Sequence, residues 1–348
     1  MGSFEIAGVR IGLGCACYVV AEIGMAHDGS LGLAHAFVDA AKEAGANGVK
    51  FQTHVAEAES TQRERFRVPM SGQDPSRYAY WLRTAFKRQE WADLATHAAD
   101  LGLGFLTSPF SEAALSLLEH TDIAAWKVAS GEVTNTPLLR ALASTKMPVI
   151  LSSGMSTWVE LDAAVETLRE RTDALALLQC TSEYPCPPEK LGLSTIDEMR
   201  SRYDLPVGLS DHSGTIFPGL VASAVHNISL LEVHLTLSRR MSGPDVRASL
   251  TVPELRQLCE GLQVTRAALV SRVDKDGLAE EFGEMRELFG RSIVAARALA
   301  SGTVLTLQDV TPKKPGGGLT PADIDRILGR RLRHALAYDE PLHWDDLV

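Results

Sequence analysis

The sequence predicts an α/β protein, a (β/α)8 TIM barrel followed by a small separate C-terminal domain, on three observations. Short apolar runs alternate with amphipathic stretches at roughly thirty residues per unit, the spacing of a strand and its crossover helix. The glycine-rich GxGxxG that would follow the first strand of a doubly wound sheet is missing. Beyond Arg291 the composition changes to short strand-like runs and turn-rich sequence.

The strand-like runs, in order, are YVVAEI (18–23), GVKFQ (48–52), LGFLTS (103–108), AAWKVAS (124–130), PVILSS (148–153), LALLQCT (175–181), PVGLS (206–210) and ISLLEV (228–233). Each is short and mostly apolar, as strands buried on both faces are, with a few polar residues toward its end. Between most of them lie helical patterns such as LGLAHAFVDAAKEAG (31–45), EWADLATHAADLG (90–102), TPLLRALAST (136–145) and WVELDAAVETLRERT (158–172). Residues 53–89 are too polar and irregular for one helix and read as a long active-site loop. VPELRQLCEGLQVTRAALV (252–270) reads as the last barrel helix. The domains are therefore expected at 1–275 (barrel) and 291–348 (small domain), with a charged linker at 276–290.

With 45% hydrophobic residues in 348, the chain can bury a large core. A formal charge of −10 and no basic stripe argue against nucleic-acid binding. No run of about 18 apolar residues suggests a membrane span, and the N-terminus carries no secretory pattern. Five cysteines without a CxxC pair suggest reduced thiols in a cytoplasmic protein.

Barrel chemistry gathers at the carboxyl ends of the strands. His212 and His234 each follow an apolar run, and neighbouring parallel strands lie roughly 5 Å apart, so the two imidazoles could share one divalent metal. Lys50 and Lys127, on different strands, could converge with strand-end hydroxyls as a cradle for phosphate and carboxylate; the alternative is that they snorkel outward between helices. Glu22, Glu132 and Glu232 add carboxylates. Such a mouth suits carbon–carbon bond formation between an anionic nucleophile and an aldehyde, with the metal as Lewis acid and the carboxylates moving protons.

At these residues the chain resembles the sialic acid synthase family. The stretches that carry the resemblance are AEIGMAHDGS, AGANGVKFQTH, FLTSPFS, AWKVASGE, ILSSGMS, QCTSEYP, VGLSDHSGT, EVHLT, GPDVRASL and KKPGGG, in family order along nearly the whole chain. RSIVAARALASGTVLT and GRRLRHALAYDEPLHWDDL resemble the family's antifreeze-like (SAF) domain. The resemblance implies condensation of phosphoenolpyruvate with an N-acylated aldohexose such as N-acetylmannosamine. It also implies a domain-swapped homodimer whose SAF domain covers the partner's barrel mouth, and a divalent metal, usually Mn2+ (Mg2+ or Co2+ as alternatives), on His212 and His234. Lys50, Lys127 and Ser130 match phosphoenolpyruvate-binding positions, with Thr107, Ser153, Ser182, Tyr184 and Ser210 in support. Glu22, Gln52, Tyr184, Asp245 and Lys314 match sugar-side positions, and Glu22, Glu132, Lys50 and Lys127 the catalytic ones. The chain departs from the family at Ala26 before His27, at Ser182–Glu183, and at Lys314, where some members have arginine. The rival readings are a related condensing enzyme using another aldose, and a non-catalytic sugar-binding relative.

Overall fold

A computed structural model describes residues 2–68 and 72–348, so residues 69–71 of the long loop lie outside the description. The chain divides into two compact units, Met1–Val270 and Ser271–Val348. Among the described residues, no helix is long and apolar enough to cross a membrane.

The first unit opens with a hairpin not anticipated from sequence, β1 (Phe4–Ile6) and β2 (Val9–Ile11). Its two-residue turn, Ala7–Gly8, has both φ angles positive, the type I′ geometry that matches strand twist. Eight parallel strands follow: β3 (Tyr18–Gly24), β4 (Gly48–Thr53), β5 (Gly104–Pro109), β6 (Ala125–Val128), β7 (Val149–Ser152), β8 (Leu175–Cys180), β9 (Val207–Asp211) and β10 (Leu230–Thr236). Each pairs with the next, and β10 pairs with both β9 and β3, which closes the (β/α)8 barrel. All eight coincide with the eight apolar runs.

Two apolar layers follow from the pleat. Val49, Phe51, Phe105, Leu151, Leu177 and Leu209 point outward and pack under the helices. Val20, Leu106, Ala125, Ile150, Ala176, Leu178 and Leu230 point inward, with Ile6 and Ile11 of the hairpin packed among them at the barrel floor. Tyr18 crosses this floor and donates to the carbonyl of Asn47 at 3.1 Å. Glycine is required beside it, because a Cβ on Gly104 would stand 2.4 Å from the Tyr18 hydroxyl.

The loop reading of 53–89 needs correction. It contains helices Ala56–Glu59 and Arg77–Thr84, and the following helix begins at Arg88. Met25, Ala56, Tyr80 and Trp81 give this insertion a small core of its own, with Phe66 and Tyr78 against it. A polar helix, Thr195–Tyr203, completes the unit between β8 and β9, burying only Ile196, Met199 and Tyr203.

The second unit begins at Ser271, ahead of the linker expected at 276–290, and takes that linker in. Helices Lys275–Glu281 and Gly283–Phe289 occupy that stretch. Then come β12 (Ser292–Ala295) and β13 (Val310–Lys313), an antiparallel pair; β11 (Leu250–Thr251) is the short strand beside β10 in the first unit. Ile293, Leu299, Leu305, Ile327, Leu336 and Leu342 form the small core. Further along, Val304 makes an isolated bridge to Arg331.

Candidate active site

Inward alternation puts Glu22, Lys50, Gln52, Ser108, Lys127, Ser152, Cys180, Ser210, Glu232 and His234 on one wall system at the carboxyl end of the barrel. There they line a cavity of about 300 Å3 with Ser130, Ser182, Tyr184, His212 and Asp245. Both lysines are buried, 3% exposed, so they do not snorkel between helices. Lys50 Nζ lies 2.8 Å from Glu22 Oε2 and 3.8 Å from Glu232 Oε2. Lys127 Nζ lies 3.6 Å from Glu232 Oε1 and donates to Ser152 Oγ at 2.7 Å. Ser210 donates to Glu232 at 3.1 Å, Gln52 to Glu22 at 2.9 Å, and Lys50 to Ser108 at 3.2 Å.

This network sets the charges. Burial opposes the Lys50 ammonium, but Glu22 and Glu232 outweigh it and raise its pKa. For Lys127 burial wins, because Glu232 is its carboxylate neighbour and Lys50 repels it, so its pKa is lowered. Burial also opposes the Glu232 carboxylate, yet Lys127 and Lys50 hold it well below the usual range. The two lysines and two glutamates thus neutralise one another, and the lysine ammonium groups face the cavity from β4 and β6, on either side of β5.

His212 and His234 stand side by side with ring centroids 5.4 Å apart. His212 Nδ1 donates to the Thr181 carbonyl at 2.9 Å, and the ring also hydrogen-bonds the Cys180 thiol. Burial lowers the pKa of His234 and favours its neutral form. Tyr184 stacks on His212 at 4.0 Å, and Arg67 lies over the other face of Tyr184 at 4.2 Å while pairing with Asp245. Burial opposes a charge on His212 as well, but Cys180, the Thr181 carbonyl and Glu232 outweigh it and raise its pKa. A histidine pair beside buried carboxylates is a donor set a divalent cation accepts once it displaces the proton. Among the described residues no three His, Cys, Asp or Glu side chains converge as a ligating group.

Four expected site residues lie elsewhere. Thr107 points outward to Thr53 Oγ1 (2.7 Å) and the Phe51 carbonyl (3.2 Å), and Ser108 takes the inward place. Ser153 likewise points away, donating to Gln179 and accepting from the Cys180 amide, while Ser152 meets Lys127. A strand shows one face to the cavity at every second residue, so a one-residue error exchanges the two faces. Glu132 is half-buried outside the cavity walls, accepting from Asn135 Nδ2 at 2.7 Å. Lys314 belongs to the second unit, where its ammonium lies 5.5 Å over the Phe289 ring. Sequence reasoning also missed His54, Arg67, Trp81, Phe110 and Cys180 in the lining. His54 carried a signal, since KFQTH sets it two residues past Gln52 on the same face, and Phe110 and Cys180 stand likewise two past Ser108 and Leu178; Arg67 and Trp81, in the long insertion, carried none.

A parallel (β/α)8 barrel with charged side chains and a histidine pair gathered at the carboxyl ends of its strands has the arrangement of a barrel enzyme. Residues 37–274 match the NeuB family and residues 290–348 the SAF domain. N,N′-diacetyllegionaminic acid synthase of Legionella pneumophila is 31% identical, over 99% of this chain and 98% of its own. Human N-acetylneuraminate-9-phosphate synthase is 30% identical, over 94% of this chain and 91% of its own. Among solved structures, an N-acetylneuraminic acid synthetase of Leptospira borgpetersenii superposes with a TM-score of 0.70 at 28% identity, covering 83% of this chain and 97% of that one. The chain belongs to the NeuB family and is an enzyme of the sialic acid synthase type.

Proposed function

We propose that this enzyme condenses phosphoenolpyruvate with an N-acylated aldohexose, N-acetylmannosamine or a related amino sugar, to give a nonulosonic acid and phosphate. The observation that carries this reading is the buried Lys50–Glu22–Glu232–Lys127 network beside the histidine pair. Lys50 and Lys127, supported by Ser108, Ser152, Ser130, Ser182 and Ser210, bind the phosphate and carboxylate of the donor. Gln52, Glu22, Tyr184 and Asp245 face the sugar. The methylene carbon of phosphoenolpyruvate attacks the aldehyde, water adds to C2, and phosphate leaves by carbon–oxygen cleavage. Glu22 and Glu232 are the carboxylates placed to hold the protons exchanged with that water and the new hydroxyl. A divalent cation, Mn2+ first among them, held by His212 and His234 alone, supplies Lewis-acid polarisation of the aldehyde. N-acetyl groups in the names of both relatives above support an N-acylated acceptor.

Phosphate release from phosphoenolpyruvate is measured against a panel of aldoses with and without Mn2+. Turnover of N-acylated hexosamines is expected; turnover of a phosphorylated pentose alone would refute the reading. Calorimetry of Mn2+ binding tests the cation site independently of turnover: His212→Ala and His234→Ala should each abolish it. The second unit is proposed to cover the mouth of a partner subunit, with Lys314 reaching the sugar. Mixing inactive His212→Ala and Lys314→Ala proteins should then regain activity, because each mixed dimer keeps one mouth with both parts intact. No recovery after verified subunit exchange refutes action in trans.

A further inference from the structure

The family-type roles above leave one built feature of the cavity wall unused. His54 stands just beyond β4, on the same inward face as Lys50 and Gln52, and lines the cavity with them. Its ring is held between two others: the Trp81 ring lies 3.6 Å away at 13°, and the Phe110 ring 4.2 Å away at 14°. Nδ1 meets Glu59 Oε1 at 2.5 Å, and the second oxygen of Glu59 accepts from the Val55 amide at 3.1 Å. The carboxylate is therefore itself pinned to the backbone. On the far side, Nε2 lies 3.4 Å from Gln52 Oε1.

Gln52 continues the chain, its amide nitrogen donating to Glu22, whose other oxygen pairs with Lys50. Glu59, His54, Gln52, Glu22 and Lys50 thus lie in sequence from the insertion to the centre of the site. Both ring contacts meet oxygen acceptors, so closing the chain takes a proton on each ring nitrogen, a cationic form that burial opposes and Glu59 favours. An amide has a donor end and an acceptor end, and only one orientation serves this chain. The donor end must face the Glu22 carboxylate, so the carbonyl end must face the ring. Packing alone does not explain the arrangement, since a phenyl ring would fill the slot between Trp81 and Phe110 without burying two polar nitrogens.

We propose that His54 is a positioning residue: clamped by Trp81 and Phe110 and anchored by Glu59, it fixes the Gln52 amide, and through it Glu22, for the acceptor sugar. The inference rests on the condensation proposed above. The Nε2 contact is long, as such contacts are before substrate closes a site, and the bound acceptor shortens it.

His54→Phe tests this, because phenylalanine keeps the aromatic stack and removes both nitrogens. The acceptor KM should rise about tenfold while the phosphoenolpyruvate KM stays within about twofold and the melting temperature within a few degrees. Adding His54→Phe to Gln52→Ala should cost little more than Gln52→Ala alone, since the two act as one unit. Additive losses, or an equal rise in both KM values, would overturn the assignment. Should His54→Phe fail to fold, Glu59→Gln must raise the acceptor KM selectively; unchanged kinetics there refutes it. Crystal structures decide the point without turnover: in His54→Phe or Glu59→Gln, Gln52 should leave Glu22, and a retained contact refutes the role. If the unaltered enzyme condensed no amino sugar, the proposed function would fall, while the crystallographic result would still decide what His54 does.

Discussion

Replacing Glu232 with glutamine removes one negative charge at constant shape from the most densely charged part of the barrel. Glu232 lies between Lys127 Nζ at 3.6 Å and Lys50 Nζ at 3.8 Å. Lys50 keeps Glu22 at 2.8 Å, whereas Lys127 keeps only neutral acceptors, Ser152 Oγ at 2.7 Å and the Val128 carbonyl at 3.4 Å. Breaking a buried ion pair from one side costs about 3–5 kcal/mol, because the remaining charge is left unpaired. At about 2–4 °C per kcal/mol for a domain near this size, Glu232→Gln should lower the melting temperature by roughly 6–20 °C. An anion in the cavity replaces the lost carboxylate. Phosphoenolpyruvate at a hundred times its Kd contributes about 2.7 kcal/mol by mass action, and its affinity for the variant should be higher than for the parent. The penalty should also ease with pH. Burial already lowers the Lys127 pKa, and loss of Glu232 lowers it further, so the unfolded chain binds the extra proton and stability rises as pH climbs toward the ordinary value of 10.5. Thermal melts with and without phosphoenolpyruvate, at pH 7 and 9, read all of this. An unchanged melting temperature with an unchanged ligand shift would show that Glu232 does not neutralise Lys127.

Strand alternation gives a paired prediction at Ser152 and Ser153. Ser152→Ala should raise the phosphoenolpyruvate KM about tenfold through Lys127, whereas Ser153→Ala should leave it unchanged and cost about 1–3 kcal/mol of stability by orphaning the Cys180 amide, as steady-state kinetics and melts would show. Gly104→Ala would force a Cβ to 2.4 Å from the Tyr18 hydroxyl, an overpacking cost of about 1–3 kcal/mol that Tyr18→Phe should partly relieve; strictly additive melts would refute that contact. Burial opposes the Glu254 carboxylate, but Arg239 and Thr251 outweigh it and hold its pKa below 4.5. Glu254 therefore stabilises the fold above that pH, and the stability gap between the parent and Glu254→Gln should close as pH falls through the lowered value.

The sequence by itself determined the number, order and position of the barrel strands. Each crossover must bury one strand on both faces, and that writes an uninterrupted apolar run such as LALLQC or PVGLS. It also pointed to Lys50, Lys127, His212 and His234 as one strand-end group, although only the structure, by burying both lysines, excluded their snorkelling outward between helices. The same uniformity hid which face each residue shows. Where both faces are apolar, no alternation marks the inward side, so Thr107 and Ser153 could not be told from Ser108 and Ser152 until the register of the closed ring fixed them. Glu132 follows the strand on a short turn, and its direction was set by Asn135 rather than by the barrel. The hairpin floor, the aromatic clamp on His54 and the Arg67–Tyr184–His212 stack join segments tens to hundreds of residues apart. Only the tertiary structure decided those, since their partners are selected by packing in space and leave no periodic trace along the chain.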